Sequence, residues 1–311
     1  MNWEKKGLIF CPDNNFEWMK GQAKIPFAQK YDDQTVRIYF CSSDQFGQSH
    51  PTFIDADINA PENILFINPK PLLELGSLGT FDESGILPSW IIDHDEKKFM
   101  YYIGYNLQAT VAYRLSIGLA ISEDGGNTFY KYSQGPICER GKDEPFFNTA
   151  PCVMIDEDGW KMWYVSCTGW DIINGHPEPY YNIKYAVSED GINWIKTNKV
   201  CIGYDEFTQA IGRPCVLKEN GIYKMYYSHR NAHNYRIDRN RSYRIGYAES
   251  ENGIDWVRMD DKVGIEKSET GWDSEMIEYC HLYQNKGKKF LLYNGNGFGK
   301  SGFGYAVLKN E

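Results

Sequence analysis

No stretch of the 311 residues approaches the roughly 20 consecutive apolar residues of a membrane span. The first twelve residues carry Lys5 and Lys6 but no apolar run of the kind a secretory signal requires. Both absences lead us to expect a cytoplasmic protein with no membrane partner. Positive charge is also in short supply. The formal net charge is −9, whereas a nucleic-acid partner needs a basic face, so none is expected. The eight cysteines contain no C-x-x-C pair, so reduced thiols and no metal site are expected. Also missing are a P-loop, a G-x-G-x-x-G placed between a strand and a helix, an H-E-x-x-H pair and a Ser-His-Asp signature, and no cofactor is expected. Helical periodicity is weak throughout.

The chain is rich instead in Tyr, Trp and Phe, which favour short strands. It also repeats. Ser122 begins S-E-D-G-G-N-T-F, Ser188 begins S-E-D-G-I-N-W and Ser250 begins S-E-N-G-I-D-W, about every sixty residues. Each turn follows an aromatic strand: F-M-Y-Y at Phe99, K-M-W-Y at Lys161 and K-M-Y-Y at Lys224. Weaker copies are V-R-I-Y-F at Val36 and F-L-L-Y at Phe290. A third echo opens each unit: I-P-F-A at Ile25, L-P-S-W at Leu87, A-P-C-V at Ala150, R-P-C-V at Arg213 and E-Y-C-H at Glu278. These patterns predict five four-stranded units, which is the pattern of a propeller. In the Ser-x-Asp-Gly turn, Asp or Asn caps backbone N–H groups and Gly takes the left-handed position, a structural role.

The fourth unit shows the predicted pattern best, with strands around 214–217, 223–228, 242–249 and 255–259. In the first unit the third and fourth strands are expected over Thr52–Ile58 and Ile64–Ile67. The third unit carries an apparent insertion over Thr168–Tyr181, containing Trp170, His176 and Pro177. The fifth unit ends near Gly304 with no room for a fourth strand. The segment Trp3–Phe10 resembles the last strands of other units and is expected to supply it. The expected fold is therefore all-β, a single five-bladed β-propeller spanning residues 1–311, its last blade closed by the N-terminal strand. Cys152, Cys215 and Cys280 read as one buried column of the repeat. Glu17, Asp82, Asp143, Asp205 and Asp273 read as acids that cap the loop before each first strand.

The five units, the Pro-containing first strand and the Y-A-x-S-x-D-G-x-x-W hairpin resemble the five-bladed propeller glycosidases, among them glycoside hydrolase families 32, 43, 68 and 130. The resemblance covers nearly the whole chain. It implies a carbohydrate-active enzyme working at the central funnel, with an Asp near the start of blade one, an acid from blade two and a Glu from blade three. This sequence departs from that set: Ile25, preceded by Lys24, stands where the first Asp would be, and Thr149-Ala150 stands in blade three.

Polar residues peculiar to one unit mark the candidate site. Glu278, Glu275, Glu83 and Asp44 are the candidate catalytic carboxyls, one to protonate the leaving oxygen and one to act as base or nucleophile. Arg213, Arg230, His229 and Lys24 would bind an acidic group, and Trp170 would offer a platform to a sugar ring. The expected substrate is a carbohydrate bearing negative charge or phosphate. The alternatives are a glycan-binding propeller without turnover and a glycosyl-transferring enzyme of surface-polysaccharide biosynthesis.

Overall fold

The computed structural model describes residues 1–13 and 16–309. The chain is built almost wholly of strands, paired antiparallel in groups of four. Strand β1 (Trp3–Phe10) comes first in sequence but joins the last group. The first unit is β2 (Gly21–Lys30), β3 (Thr35–Ser43), β4 (Ser49–Asp57) and β5 (Ile64–Ile67). The second is β6 (Gly85–His94), β7 (Lys97–Leu107), β8 (Tyr113–Ser122) and β9 (Tyr130–Lys131). The third is β10 (Asn148–Asp156), β11 (Gly159–Ile173), β12 (His176–Ser188) and β13 (Ile195–Ile202). The fourth is β14 (Ala210–Glu219), β15 (Ile222–Arg230), β16 (Arg244–Ser250) and β17 (Val257–Arg258). The fifth is β18 (Glu278–Asn285), β19 (Lys288–Asn294), β20 (Phe303–Leu308) and β1. Strand β18 of the last unit lies against β2 of the first.

The N-terminal strand has the bounds read from sequence, Trp3–Phe10, and pairs with β20 from Trp3 opposite Leu308 to Phe10 opposite Phe303. The apparent insertion at 168–181 is no loop. It lengthens β11 and β12 into one hairpin, with Trp170 opposite Pro179 and Asn174-Gly175 at the tip.

The Ser-x-Asp-Gly turns do more than reverse the chain. Ser188 Oγ accepts the Gly191 N–H at 3.0 Å, and Asp190 Oδ1 accepts those of Ile192 and Asn193 at 2.8 Å. The freed glycine carbonyls then bind the preceding unit. Tyr101 Oη donates to Gly191 at 2.8 Å, Trp163 Nε1 to Gly253 at 2.7 Å, and Arg37 Nη1 to Gly126 at 3.0 Å. Gly191 has φ +72°, and a Cβ there would sit 2.7 Å from the Trp160 ring, so the position admits glycine only.

A second device recurs inside four units. An acid, buried in three of the units and half-buried in the fourth, accepts the hydroxyl of the second-strand tyrosine and pairs with a base on the outermost strand. The sets are Asp82 with Tyr102 and Lys131, Glu144 with Tyr164 and Lys196, Asp260 with Tyr227 and Arg258, and Asp273 with Tyr293 and Lys5. The sequence reading is corrected at one place. Glu144 faces inward rather than Asp143, whereas Asp205 caps its loop as expected, its Oδ1 accepting the N–H groups of Phe207 and Thr208 at 2.8 Å, and in that fourth unit Asp260 receives the tyrosine. Glu17 makes an exposed pair with Lys20, and Phe40 takes the tyrosine's place in the first unit.

Glu144 also meets Lys184 at 2.8 Å. Burial alone would raise its pKa, but the two lysines outweigh it and hold the carboxyl below its usual range. The stabilisation is therefore present above the unfolded pKa and fades as pH falls through the depressed folded value. We expect Glu144→Gln to cost about 3–5 kcal/mol at pH 7, as for one partner of a buried pair. Chemical denaturation of both proteins across pH 2–7 should show this difference shrinking in acid. A difference independent of pH would refute the ionic role.

Candidate active site at the centre of the units

Each first strand is broken by a β-bulge where it approaches the centre. In four units the bulge puts a non-glycine residue at positive φ: Ile25 (+56°), Ala150 (+46°), Arg213 (+53°) and Tyr279 (+53°). This conformation is costly for L-residues and clusters at functional sites. All four residues line a cavity of about 350 Å³.

The register corrects the sequence reading of the fifth unit. Glu278 faces Asn294 before the bulge, as Gly212 faces Ser228 and Thr149 faces Val165. Glu278 thus shares its column with Lys24, Thr149 and Gly212, and Tyr279 shares that of Arg213. Cys280 occupies the place of the proline, so the cysteine column is Cys152 and Cys215 with His281 beneath the fifth bulge. All eight cysteines are free.

The space below the bulges is filled by Trp90, Phe27 and His281, with ring centroids 5.1, 5.3 and 4.2 Å apart. Trp90 packs against four of the hydrophobic clusters and so sits where the units meet. His281 Nδ1 accepts the Ala28 N–H at 3.1 Å, which puts the ring proton on Nε2 when neutral. Burial and then the Arg213 charge keep it neutral.

Arg213 is 1% exposed and lines the cavity. Its Nη2 lies 3.5 Å from the Pro26 carbonyl, while Nε and Nη1 have no partner among the described residues. Thr149 Oγ1, also in the cavity lining, is buried without a partner among the described residues. Arg230 is better supported. Its Nε donates to Tyr243 Oη at 3.1 Å, its Nη1 to the Asn231 carbonyl at 3.2 Å, and its guanidinium lies 3.7 Å from the Tyr235 ring centroid. Tyr243 and Tyr181 are hydrogen-bonded through their hydroxyls. Tyr235 donates to Glu178 at 2.9 Å, which also pairs with Arg236 at 2.8 Å.

Glu278 is fully buried, and neither carboxyl oxygen has a hydrogen-bond partner among the described residues. Burial pushes its pKa well above the usual range, against the weaker pull of Lys24 and Arg230. Burial thus favours its neutral, carboxylic-acid form. It makes no ion pair with Arg213, whose unpartnered atoms lie near Cys215, Cys280 and Cys152 instead.

The structure brings together Lys24, Arg213 and Arg230 in the lining, with Glu278 directly behind it. The remaining candidates are engaged elsewhere. Asp44 Oδ1 accepts the N–H groups of Phe46 and Gln48 at 2.9 Å, and its other oxygen meets His50. Glu83 caps the Gly79 N–H at 2.6 Å, and Glu275 pairs with Arg239 at the surface. His229 alternates with Arg230 along β15, so it points to the other face, toward Asp260 and Arg258. Trp170 packs edge-on against Tyr113 and Phe147, two lining residues, and backs the wall rather than forming it. Sequence reasoning missed the tyrosines 181, 235, 243 and 279. Shifting E-Y-C-H by one residue would have placed Tyr279 under Arg213.

No helix among the described residues is long and apolar enough to cross a membrane. No group of three or more His, Cys, Asp or Glu among them is placed to hold a metal ion.

The fold is that of the propeller-type glycoside hydrolases. One similar structure, solved as an RGII complex, is 16% identical with a TM-score of 0.72 over 99% of this chain and 91% of that one. A thermostable family-43 glycoside hydrolase is 18% identical with a TM-score of 0.66, over 96% and 91%. A family-32 β-fructofuranosidase of Bombyx mori, solved with sucrose, is 16% identical with a TM-score of 0.63, over 97% of this chain and 61% of that one. In sequence, two uncharacterised proteins from strains of Mycobacterium tuberculosis are each 36% identical over 310 residues, covering 100% of both chains. The chain belongs to the family of these proteins. No family model matches it.

Proposed function

We propose that residues 1–311 form one five-bladed β-propeller, closed between β18 and β2, whose central cavity handles a carbohydrate carrying an acidic group. Glycosidase-like chemistry is the leading reading. The observation that carries it is the Glu278 carboxyl, buried and without a hydrogen-bond partner among the described residues, its neutral form favoured by burial, one residue from Tyr279 in the cavity wall. Such an acid can give its proton to a leaving oxygen. Of the sequence candidates for a second carboxyl, Asp44 is favoured over Glu83 and Glu275. Its turn carries Gly47 and Ser49, which line the cavity. The same donated proton would serve transfer to a sugar acceptor. The free thiols fit a reducing, cytoplasmic setting.

The acidic group is read from charge. The lining holds four cations, Lys24, Arg213, Arg230 and Arg236, in a chain of net charge −9. Arg213, held only by a long bond from Nη2 to the Pro26 carbonyl among the described residues, and Arg230, fixed by Tyr243 and Tyr235, are the clamp. Two buried guanidinium nitrogens without partners among the described residues destabilise the fold, so Arg213→Met should raise the melting temperature. The same change should weaken an anionic sugar roughly ten- to hundredfold, since a charged hydrogen bond contributes about 1.5–3 kcal/mol. Calorimetric titration with a sugar phosphate and its neutral methyl glycoside checks this. Equal weakening of both ligands would reject the clamp.

A glycan-binding module is the second reading, favoured because no Asp or Glu lines the cavity among the described residues. Turnover assays on uronides and glycosyl phosphates separate the two. Release of sugar supports the enzyme, and binding without release supports the module. Failure of every such ligand to bind would remove the carbohydrate function altogether.

A further inference from the structure

Two of the connections between second and third strands stand out. In the third unit β11 and β12 run on into the hairpin 168–181, and in the fourth unit residues 231–243 join β15 to β16. The same links in the first two units are only 44–48 and 108–112. The two long ones meet at the cavity, which Tyr235 and Arg236 of the loop and Tyr181 of the hairpin all line. Among the described residues two fastenings hold the body of the loop to the hairpin. Buried Glu178 accepts Tyr235 Oη at 2.9 Å and Arg236 Nε and Nη2 at 2.8 and 3.3 Å. At the exposed tip Asn174 Nδ2 donates to Asn234 Oδ1 at 2.6 Å.

The ends of the loop are tied to each other. The Asn231 N–H donates to the Arg241 carbonyl at 3.1 Å, while Asn231 Nδ2 and the Ala232 N–H reach the Phe207 carbonyl and Gln209 Oε1. A compact loop with neighbouring ends can swing without disturbing the strands it joins. Its outer side is weakly held. Ile237 is 80% exposed, and Arg239 and Arg241 make surface pairs with Glu275 and Asp238, which contribute little. Its inner side covers Arg230. The Tyr235 ring lies over one face of that guanidinium, with the edges of Tyr243 and Phe298 beside it at 6.2 and 6.3 Å between centroids. Arg230 is 2% exposed, so an acid reaches it only when this cover moves.

We propose that residues 232–240 form a lid over Arg230, latched by Glu178, which lifts to admit the acidic group of the ligand and closes on it with Tyr235. This rests on the acidic-carbohydrate reading above and adds how that site is entered. Glu178 is a positioning residue, acting through Tyr235 and Arg236. An ionised carboxyl accepts on both oxygens, so one group holds the tyrosine and the arginine together. An amide in its place keeps one acceptor and turns a donor toward them, which frees the loop without changing the size of the side chain.

Trypsin digestion of the full chain, read by mass spectrometry, tests the latch. Cleavage after Arg239 reports on the loop itself, because Arg239 pairs with Glu275 and not with Glu178. Glu178→Gln should speed that cleavage about ten- to hundredfold, the factor expected from losing a charge-assisted hydrogen bond. Backbone hydrogen exchange on the unaltered chain decides the matter if the variant fails to fold. Residues 232–240 should exchange at least about a hundredfold faster than β15, through local opening. Saturation with glucose 1-phosphate should slow them, and neutral methyl glucoside should not. Unchanged cleavage in a folded variant, or loop exchange as slow as that of β15, would overturn the lid and leave the acidic-carbohydrate reading in place. Glucose 1-phosphate that binds without slowing the loop would do the same. Glucose 1-phosphate that fails to bind, while the variant loop is cleaved faster, would keep the latch and overturn the acidic-carbohydrate reading.

Discussion

Deleting residues 1–10 should leave a chain that no longer folds cooperatively at ambient temperature. Strand β1 is the outer strand of the fifth unit, and its loss strips β20 of a whole ladder. It also removes anchors far from the strand itself. Trp3 is buried, donates from Nε1 to the Val263 carbonyl at 2.9 Å and packs edge-on against Tyr226. Ile9 and Phe10 belong to the cluster that joins the fifth unit to the first. Burying each of these side chains contributes about 1.5–3 kcal/mol. Lys5 meets the buried Asp273 at 2.6 Å. Removing one partner of such a pair costs about 3–5 kcal/mol. The sum matches the whole stability of an ordinary domain, about 5–15 kcal/mol. Thermal melting by circular dichroism checks it, with Trp3→Ala as an intermediate expected to lose about 3–5 kcal/mol. A deletion variant melting within a few degrees of the full chain would refute the closure.

What the sequence made legible was whatever repeats with its chemistry intact. The Ser-x-Asp-Gly turns and the second-strand aromatics recur because each bonds the neighbouring unit, as Tyr101 does to Gly191. The segment Trp3–Phe10 can be placed because an outer strand has the same neighbours wherever it lies in the chain. The slip comes where the repeat replaces its marker. The fifth bulge has Cys280 where other units have proline, so the string E-Y-C-H aligns one residue out and sets Glu278 under Arg213. The choice between Asp143 and Glu144 is equally closed to sequence, since only the fold decides which adjacent acid turns inward. The tyrosines around Arg230 are hidden for another reason. In a chain with 23 tyrosines, a ring reads as core filling until its hydroxyl is seen to meet Arg230. Arg213 stands out in the sequence as a charge on a first strand, and two of its guanidinium nitrogens have no partner among the described residues.

Glu278→Gln should abolish most turnover while leaving the fold intact. General acid catalysis contributes about 10²–10⁴-fold, and an amide cannot give up a proton. The fall should be in kcat, with ligand affinity nearly unchanged, because a neutral acid and an amide present similar shape and no charge. The same substitution has a signature in stability that needs no substrate. The folded Glu278 holds its proton well above the ordinary value near 4.5. In strong acid both folded and unfolded chains carry the proton, so the group is neutral to folding. As pH rises past the unfolded value, the unfolded chain ionises and the folded chain does not, so stability falls until the folded carboxyl ionises too. Each tenfold difference in proton affinity is worth about 1.4 kcal/mol of that loss. The amide has nothing to ionise. Relative to the parent, Glu278→Gln should therefore gain stability between pH 4 and pH 8, whatever constant cost the buried amide brings. Urea denaturation at the two pH values measures the slope, and a carbohydrate assay measures kcat. A flat stability difference would mean that Glu278 is ionised in the folded chain and cannot be the acid. Full turnover in the variant would remove Glu278 from the chemistry and direct the search to the tyrosines of the cavity wall.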